Sequence, residues 1–327
     1  ISALKEAIQH LPKEEMSSKR SPILKEWLLQ RNKKDVKEGK QTKKKKVVLC
    51  KPKGSHNMFT HFPMDPNCPI CQQCKKTRAY CRSKDNSKGK GDSLPPPQKF
   101  ADQITADHEI LNDDDASREK DHNALIVLDR FTNWLQSYAT KTKSADEVIM
   151  AIKRFLGPQT ECQHAYSDNS EELKKAFKVL HISHDTSTQH RPQTNGVIER
   201  SGRRVREGTA CSLVQSGLDH VWWPEAMQCY CFLRNIYDTL STGKTAYQMR
   251  FDQSFRGPIY PFGCHVLYKP ITEKDKKRLH KYGNGMLSGI FLGYNQQAGG
   301  GWSGDLLLID IEEIQQINAT QINPKYG

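Results

Sequence analysis

Two stretches of the chain hold residue types that do chemistry at useful spacing. The first is His56-Asn-Met-Phe-Thr-His61 followed by Cys68-Pro-Ile-Cys71. Two imidazoles and a C-x2-C thiolate pair are the borderline and soft ligands that suit tetrahedral Zn2+. Cys74 and Cys81 crowd the same region, so a different set of four is open, as is a local turn with free surface thiols. The second stretch is residues 190–206, where the single carboxylate of Glu199 stands among many arginines. Pro192 is tolerated in a first helical turn, Thr194 or Asn195 can accept bonds from free backbone donors, and Gly196 leaves the backbone open to close approach. The sequence therefore predicts a helix starting near Gln193. Arg203 lies four residues beyond Glu199 and Arg206 seven, so the three share one helix face. That face suits a phosphate backbone. Its carboxylate reads either as an exposed ion pair of little worth or as a hard ligand that places Mg2+ against a phosphate.

The flanking chain supplies elements to carry these groups. A strand is predicted through Phe100–Leu111, an acidic loop at Asp113-Asp-Asp115, an apolar strand over Ala124–Leu128 and a third over Phe131–Thr140, an order that indicates an antiparallel meander. Val148, Ile149, Ile152, Phe155 and Leu156 recur at helical spacing, predicting a helix over Ala145–Leu156 that Gly157-Pro158 ends. Next come a strand ending in Tyr166-Ser-Asp168, a helix over Glu171–Leu180, a short strand near Ile182 and the Glu199 helix. Trp222, Trp223, Met227, Phe232 and Ile236 lie on one further helix, the tryptophans as core rather than base-stacking platforms. Beyond Gly257 the pattern is strand and turn: Cys264–Tyr268, Gly289–Tyr294 and Leu306–Ile311. The glycines between 299 and 304 read as a hairpin loop rather than a phosphate cradle, because no helix follows them. The pattern alone says mixed α and β.

A length of 327 residues suggests about two domains at roughly 150 residues each. An apolar content of 36% and a mean hydropathy of −0.75 are low for one fully packed globule. The net charge of +13 is concentrated: residues 1–60 hold 16 Lys or Arg against 6 Asp or Glu, 16 − 6 = +10, which leaves +3 for the rest. Such a tail suits nucleic acid or an acidic surface, with affinity that falls as salt rises. Lys43, Lys44, Lys45 and Lys46 form its densest run, readable as phosphate contact, nuclear-import signal or solvated linker. Ten cysteines without a signal peptide fit a reducing intracellular compartment. No run of 18 apolar residues is present, so no membrane partner is expected. A first residue other than Met is expected of a fragment or of a product cut from a polyprotein.

Pro192-Gln-Thr-Asn-Gly-Val-Ile-Glu-Arg200 resembles the motif around the third acidic residue of retroelement integrases, and Tyr166-Ser-Asp-Asn169 resembles the motif around their second. Ile104-Thr-Ala-Asp-His108, followed by an apolar strand, resembles the segment of the first. With Pro261-Phe-Gly-Cys264 and Gly289-Ile-Phe-Leu-Gly-Tyr294, the resemblance is to the copia type of long-terminal-repeat retrotransposon, over roughly residues 55–310. It implies an α/β (α+β) ribonuclease H-like core, preceded by a small zinc-binding segment with ligands His56, His61, Cys68 and Cys71 and followed by a small C-terminal β module. The divisions are a basic, partly disordered tail (1–54), the His/Cys segment (55–82), a linker (83–99), the catalytic domain (100–245) and the β module (246–327).

The resemblance further implies that Asp107, Asp168 and Glu199 hold Mg2+ or Mn2+ as catalytic carboxylates of the DDE type. With 37 acidic residues in 327, roughly one position in nine, spacing alone proves nothing and the motif contexts carry the choice. Asp102 and Asp129 are the rivals to Asp107. Two ions about 3.5 to 4 Å apart stabilise the attacking and leaving oxygens of an in-line displacement at phosphorus. Processing of element DNA ends and strand transfer into a target would follow, with double-stranded DNA as partner, a homo-oligomer as the assembly and the nucleus as the place. DNA contacts fall on Lys43 to Lys46, Asn195, Arg200, Arg203, Arg204 and Arg206. A ribonuclease H-type nuclease or a degenerate DNA-binding relic are the alternatives. The relic draws on Ser170 where the family has Gly, on the compressed His/Cys segment, and on an interval from Asp168 to Glu199 of 199 − 168 = 31 positions, shorter than the family's.

Overall fold

The computed structural model describes residues 56–75, 95–186, 196–316 and 325–326. The expected tail with Lys43 to Lys46, most of the linker, Cys81 and Asn195 lie outside them, as does the helix start expected near Gln193. At the centre is a five-stranded sheet of β1 (Gln103–Ile110), β2 (Asn123–Asp129), β3 (Leu135–Thr140), β4 (His164–Ser167) and β5 (Ser183–Thr186), in the order β3-β2-β1-β4-β5. The first three strands are an antiparallel meander, and β4 and β5 run parallel to β1. This mixed sheet with helices between its parallel strands is the ribonuclease H-like order that the resemblance implied.

Alternation along the strands fixes what each face does. Ile104, Ala106, Leu125, Val127 and Ala165 point to one side and pack with Phe155 of α2 (Ala145–Leu156) and Phe177 of α3 (Glu171–Val179). The α2 span is the predicted one, and Ser144 caps it by accepting from the Glu147 N–H. Ala124, Ile126 and Leu128 point to the other side, under α4 (Gly196–Ser216) and α5 (Trp223–Tyr237). Helix α4 lies flat because Ile198, Gly202, Val205, Thr209 and Ser212 form a buried stripe at helical spacing. Gly202 lies over the Ile126 side chain, where even a Cβ would make an ordinary contact at 3.7 Å. On α5 the Asn235 side chain bonds both the N–H and the C=O of Leu135, closing part of the outer edge of β3. Trp222 and Trp223 are buried, the core role expected of them.

The C-terminal strands β6 (His265–Tyr268), β7 (Leu287–Gln296), β8 (Trp302–Asp310) and β9 (Lys325–Tyr326) form a second, antiparallel sheet. The glycine-rich stretch joins β7 to β8 as the expected hairpin, closed by the Gln297 N–H donating to Gly301 O at 2.8 Å. This sheet shares the main core: Phe291, Leu292 and Tyr294 pack with Phe232 of α5, and Gly293 lets the strand pass Cys229. Among the described residues no helix is long and apolar enough to cross a membrane.

Candidate functional site: three carboxylates and a His/Cys cluster

Burial thins along β1, from buried Gln103–Ala106 to half-buried Asp107–Glu109, so the strand emerges toward its C-terminal end. Asp107 stands opposite Ile126 of β2, on the face that α4 covers. Asp168 is the first residue past β4. The β1–β4 ladder ends at Ala106 opposite Ser167, so Asp107 and Asp168 occupy the next level of two neighbouring parallel strands, whose spacing is ~4.8 Å. Glu199 lies in the first turn of α4 and is exposed. The helix is pinned along β1 by Arg206, whose Nε and Nη2 donate to the two carboxylate oxygens of Glu109 at 2.7 and 2.8 Å. Asp107 and Asp168 thus stand side by side at the carboxyl end of the parallel strands, where open α/β sheets hold their ligands, and Glu199 on α4 is near enough for its charge to act on Asp107.

The electrostatics mark Asp107. Burial pushes the Asp107 carboxyl up to about 6, and the charges of Asp168, Glu109 and Glu199 add to the rise against the His108 N–H that opposes it. The other interior acids have hydrogen-bonding or charged partners within the chain. Asp129 accepts from Ala101 N, Thr132 N and Thr132 Oγ1. Asp238 pairs with Arg204, Glu225 with Arg118 and Asp310 with Arg278. Among the described residues Asp107 accepts only the 2.9 Å bond from its neighbour His108 N, and Asp168 only a 3.3 Å bond from Ser170 N. Among the described residues no Lys, Arg or His forms a salt bridge with Asp107, Asp168 or Glu199. The rivals are occupied structurally: Asp102 accepts from Gln98 N and Lys99 N, and Asp129 ties the β2–β3 turn.

The His/Cys segment is already gathered. One ligand atom each from His56, His61, Cys68 and Cys71 lies within 4.8 Å of the others, and this is the one group of His, Cys, Asp or Glu so close among the described residues. The three carboxylates are not gathered this closely. His61 Nδ1 lies 3.6 Å from Cys68 Sγ and 3.8 Å from Cys71 Sγ, spacings that ligand bonds of ~2.0 Å to nitrogen and ~2.3 Å to sulfur produce in a tetrahedron. Each imidazole is oriented from behind, His56 through Nδ1 to Pro63 O at 2.8 Å and His61 through Nε2 to Gln215 Oε1 at 2.5 Å. Burial lowers the His61 pKa and favours the neutral ring that a metal needs. Cys74, on α1 (Pro69–Cys74), lies outside the four.

The segment is clasped to the helix that carries Glu199. Arg204 sits over the Phe62 ring at 4.0 Å and donates to Asp238, which also accepts from Thr60 Oγ1 at 2.8 Å. Gln215 and Asp238 had no local signal in the sequence, because their partners lie 154 and 178 positions away. Of the expected DNA contacts, Arg200 is exposed and bonds Gly196 O, Arg203 pairs with Glu207, Arg204 with Asp238 and Arg206 with Glu109. The shared face of Glu199, Arg203 and Arg206 therefore does not become a shared ion pair.

No protein-family model matches the chain. It is 29% identical over 181 residues to the retrovirus-related Pol polyprotein from transposon RE1 of Arabidopsis thaliana, a match to 52% of this chain and 12% of that polyprotein. It is 27% identical over 184 residues to the corresponding polyprotein from transposon RE2 of the same plant, with the same coverage. The chain thus spans about one-eighth of the length of these relatives. Among solved structures, the catalytic core domain of BIV integrase superposes at a TM-score of 0.36 and 18% identity, over 46% of this chain and 95% of that one. The HTLV-2 integrase catalytic core domain in complex with magnesium gives 0.36 and 17%, over 46% and 97%. Superpositions this loose do not assign a fold, and the strand order stands on its own.

Proposed function

We propose that this chain, a relative of retrotransposon Pol polyproteins, is an integrase of the copia type that processes the ends of its element's DNA and joins them to target DNA. The observation that carries the reading is the mutual electrostatic influence of Asp107, Asp168 and Glu199 with no salt bridge to any of them among the described residues, in a protein that pairs Asp238 and Asp310 with arginines. Like charges brought together in a half-buried place call for cations, and oxygen-only ligands select hard ones such as Mg2+ or Mn2+. The donor set fits such ions. When bound, they supply charge stabilisation to the attacking and leaving oxygens at a phosphodiester.

The residues of the chain have separate duties. Asp107 and Asp168 present carboxylates from adjacent strands, and Glu199 presents a third from a helix that Arg206 and Glu109 hold in register. In end processing, a water oxygen forms a bond to phosphorus as the bond from phosphorus to the 3′ oxygen breaks, leaving a free 3′-hydroxyl. In strand transfer that hydroxyl oxygen attacks a target phosphodiester, and the target's own 3′ oxygen leaves. His56, His61, Cys68 and Cys71 would hold zinc and so fix the segment that clasps the Glu199 helix. The division into tail, zinc segment, linker, catalytic domain and β module belongs to the same proposal, as do a homo-oligomeric assembly and action in the nucleus. DNA affinity is assigned to Lys43 to Lys46 with Asn195 and Arg200. Arg203 and Arg206 belong to the same assignment, since each is paired through part of its guanidinium and its side chain stays exposed, whereas Arg204 is held by Asp238.

The test is Asp168→Asn assayed for Mn2+ binding and for joining of an element-end duplex. Loss of both is the expected result. Parent-like binding and joining would leave a DNA-binding relic as the better reading. An enzyme that cleaves RNA–DNA hybrids but joins no DNA would instead be the nuclease.

A further inference from the structure

We propose that Ser167 and His184 are positioning residues for Asp168, a hydrogen-bonded prop on the far face of the sheet that fixes the backbone from which its carboxylate projects. The inference rests on reading Asp107, Asp168 and Glu199 as a divalent-cation site. Asp107 lies within the ladder, paired opposite Ile126. Asp168 does not: the pairings of β4 with both β1 and β5 stop at Ser167. The sheet that fixes one acid therefore leaves the other at a strand end, and something else must hold it.

Ser167 is fully buried. Its Oγ donates to the Asp168 carbonyl oxygen at 2.8 Å, which uses the only proton the hydroxyl has. The same Oγ lies 2.8 Å from His184 Nε2, so that nitrogen must be the donor and the hydroxyl the acceptor. The imidazole of His184 is held in turn by its strand and by Phe177 of α3, with ring centroids 4.7 Å apart. The register places His184 opposite Ala165, one step diagonal to Ser167 and on the same face. The chain of bonds runs from the imidazole through the hydroxyl to the carbonyl of Asp168, and it anchors that residue to two elements of the core.

Ser167 lies on the face of the sheet that packs α2 and α3, and Asp168 follows it past the end of β4, near enough to Asp107 for its charge to raise that carboxyl. Removing the prop leaves the carboxylate in place chemically and loosens only where it sits. Supporting partners of metal ligands typically cost about 10- to 100-fold in metal affinity when removed, and that is the size of effect assigned here.

The experiment uses the full chain with its His/Cys segment loaded with zinc, and reads Mn2+ binding by electron paramagnetic resonance beside the Mn2+ dependence of strand joining. The variants are Ser167→Ala, His184→Phe, which keeps a ring against Phe177 but cannot donate, His184→Gln, which can, and the Ser167→Ala/His184→Phe double variant. The expected result is about a tenfold or greater rise in the Mn2+ concentration for half-saturation in both single losses, with the rate at saturating Mn2+ largely kept. The double variant should be no worse than the worse single one, because both break one chain of bonds, and His184→Gln should recover most of the affinity. Asp168→Asn runs alongside. If it binds Mn2+ like the parent, the reading of the three acids fails. If it loses Mn2+ while Ser167→Ala and His184→Phe bind like the parent, or if their effects simply add and His184→Gln rescues nothing, the prop is overturned while the site stands.

Discussion

Asp107→Asn should make the metal-free protein more stable at neutral pH. In the folded chain its carboxyl rises from 3.8 to about 6, chiefly through burial and then through the charge of Asp168. At ~1.4 kcal/mol per pH unit, the ionised form costs the fold about 3 kcal/mol. The sign follows from proton counting. Below pH 3.8 the group is protonated in both folded and unfolded states and adds no penalty. Between 3.8 and 6 the folded state holds more of the proton, so stability falls as pH rises; above 6 the full cost is present. The asparagine variant lacks the titration. Urea unfolding of both proteins without divalent ions should show a gap of about 3 kcal/mol in favour of the variant at pH 7.5, narrowing to about half at pH 5. Other raised groups, such as Asp129 and Glu225, cancel in the difference. Saturating Mg2+ should then stabilise the parent and not the variant, since only a ligand that binds the folded state shifts the balance. A gap that is flat with pH, or that widens as pH falls, would refute the argument that burial, with the charge of Asp168 beside it, holds the Asp107 carboxyl up.

Cys71→Ser should abolish stoichiometric zinc in protein purified under reducing conditions, measured by elemental analysis, and a chelator should do the same to the parent. Gly208→Ala should destabilise by about 1 to 3 kcal/mol or more in a thermal melt, because a Cβ there would enter the Tyr230 ring and push α4 off α5. Removing residues 1–54 should flatten the log–log salt dependence of duplex DNA binding by several units, at about 0.9 per lost phosphate contact; an unchanged slope would move the DNA contacts elsewhere.

Legibility in the sequence tracked the range of the forces involved. Helix α2 was readable from its own residues because cap, apolar stripe and terminating Gly157 are all local. The first strand was read too long at its start because Ala101, at φ +71°, turns the chain before Gln103, and nothing in Phe100-Ala-Asp102 announces that. His56, His61, Cys68 and Cys71 gather in the structure as ligand type and spacing lead one to expect, because the two imidazoles and the C-x2-C pair lie within 16 residues of chain. Gln215, which aims His61, was invisible, as was the Arg204–Asp238 clasp.

The arginines of α4 show why a helix face is not yet a site. Periodicity put Arg203 and Arg206 beside Glu199, and one helix can say no more than that. The partners came from elsewhere: Glu109 stands on the α4-covered face of β1 by strand alternation, two residues from Asp107, and takes both nitrogens of Arg206. A bidentate pair at that point aligns the helix with the strand and removes from Glu199 the cation that spacing had offered it. The same pairing that costs the helix a ready phosphate contact thus leaves the third carboxylate unneutralised. On the proposed reading, the three acids that motif context nominates thereby keep a charge for a bound cation to meet.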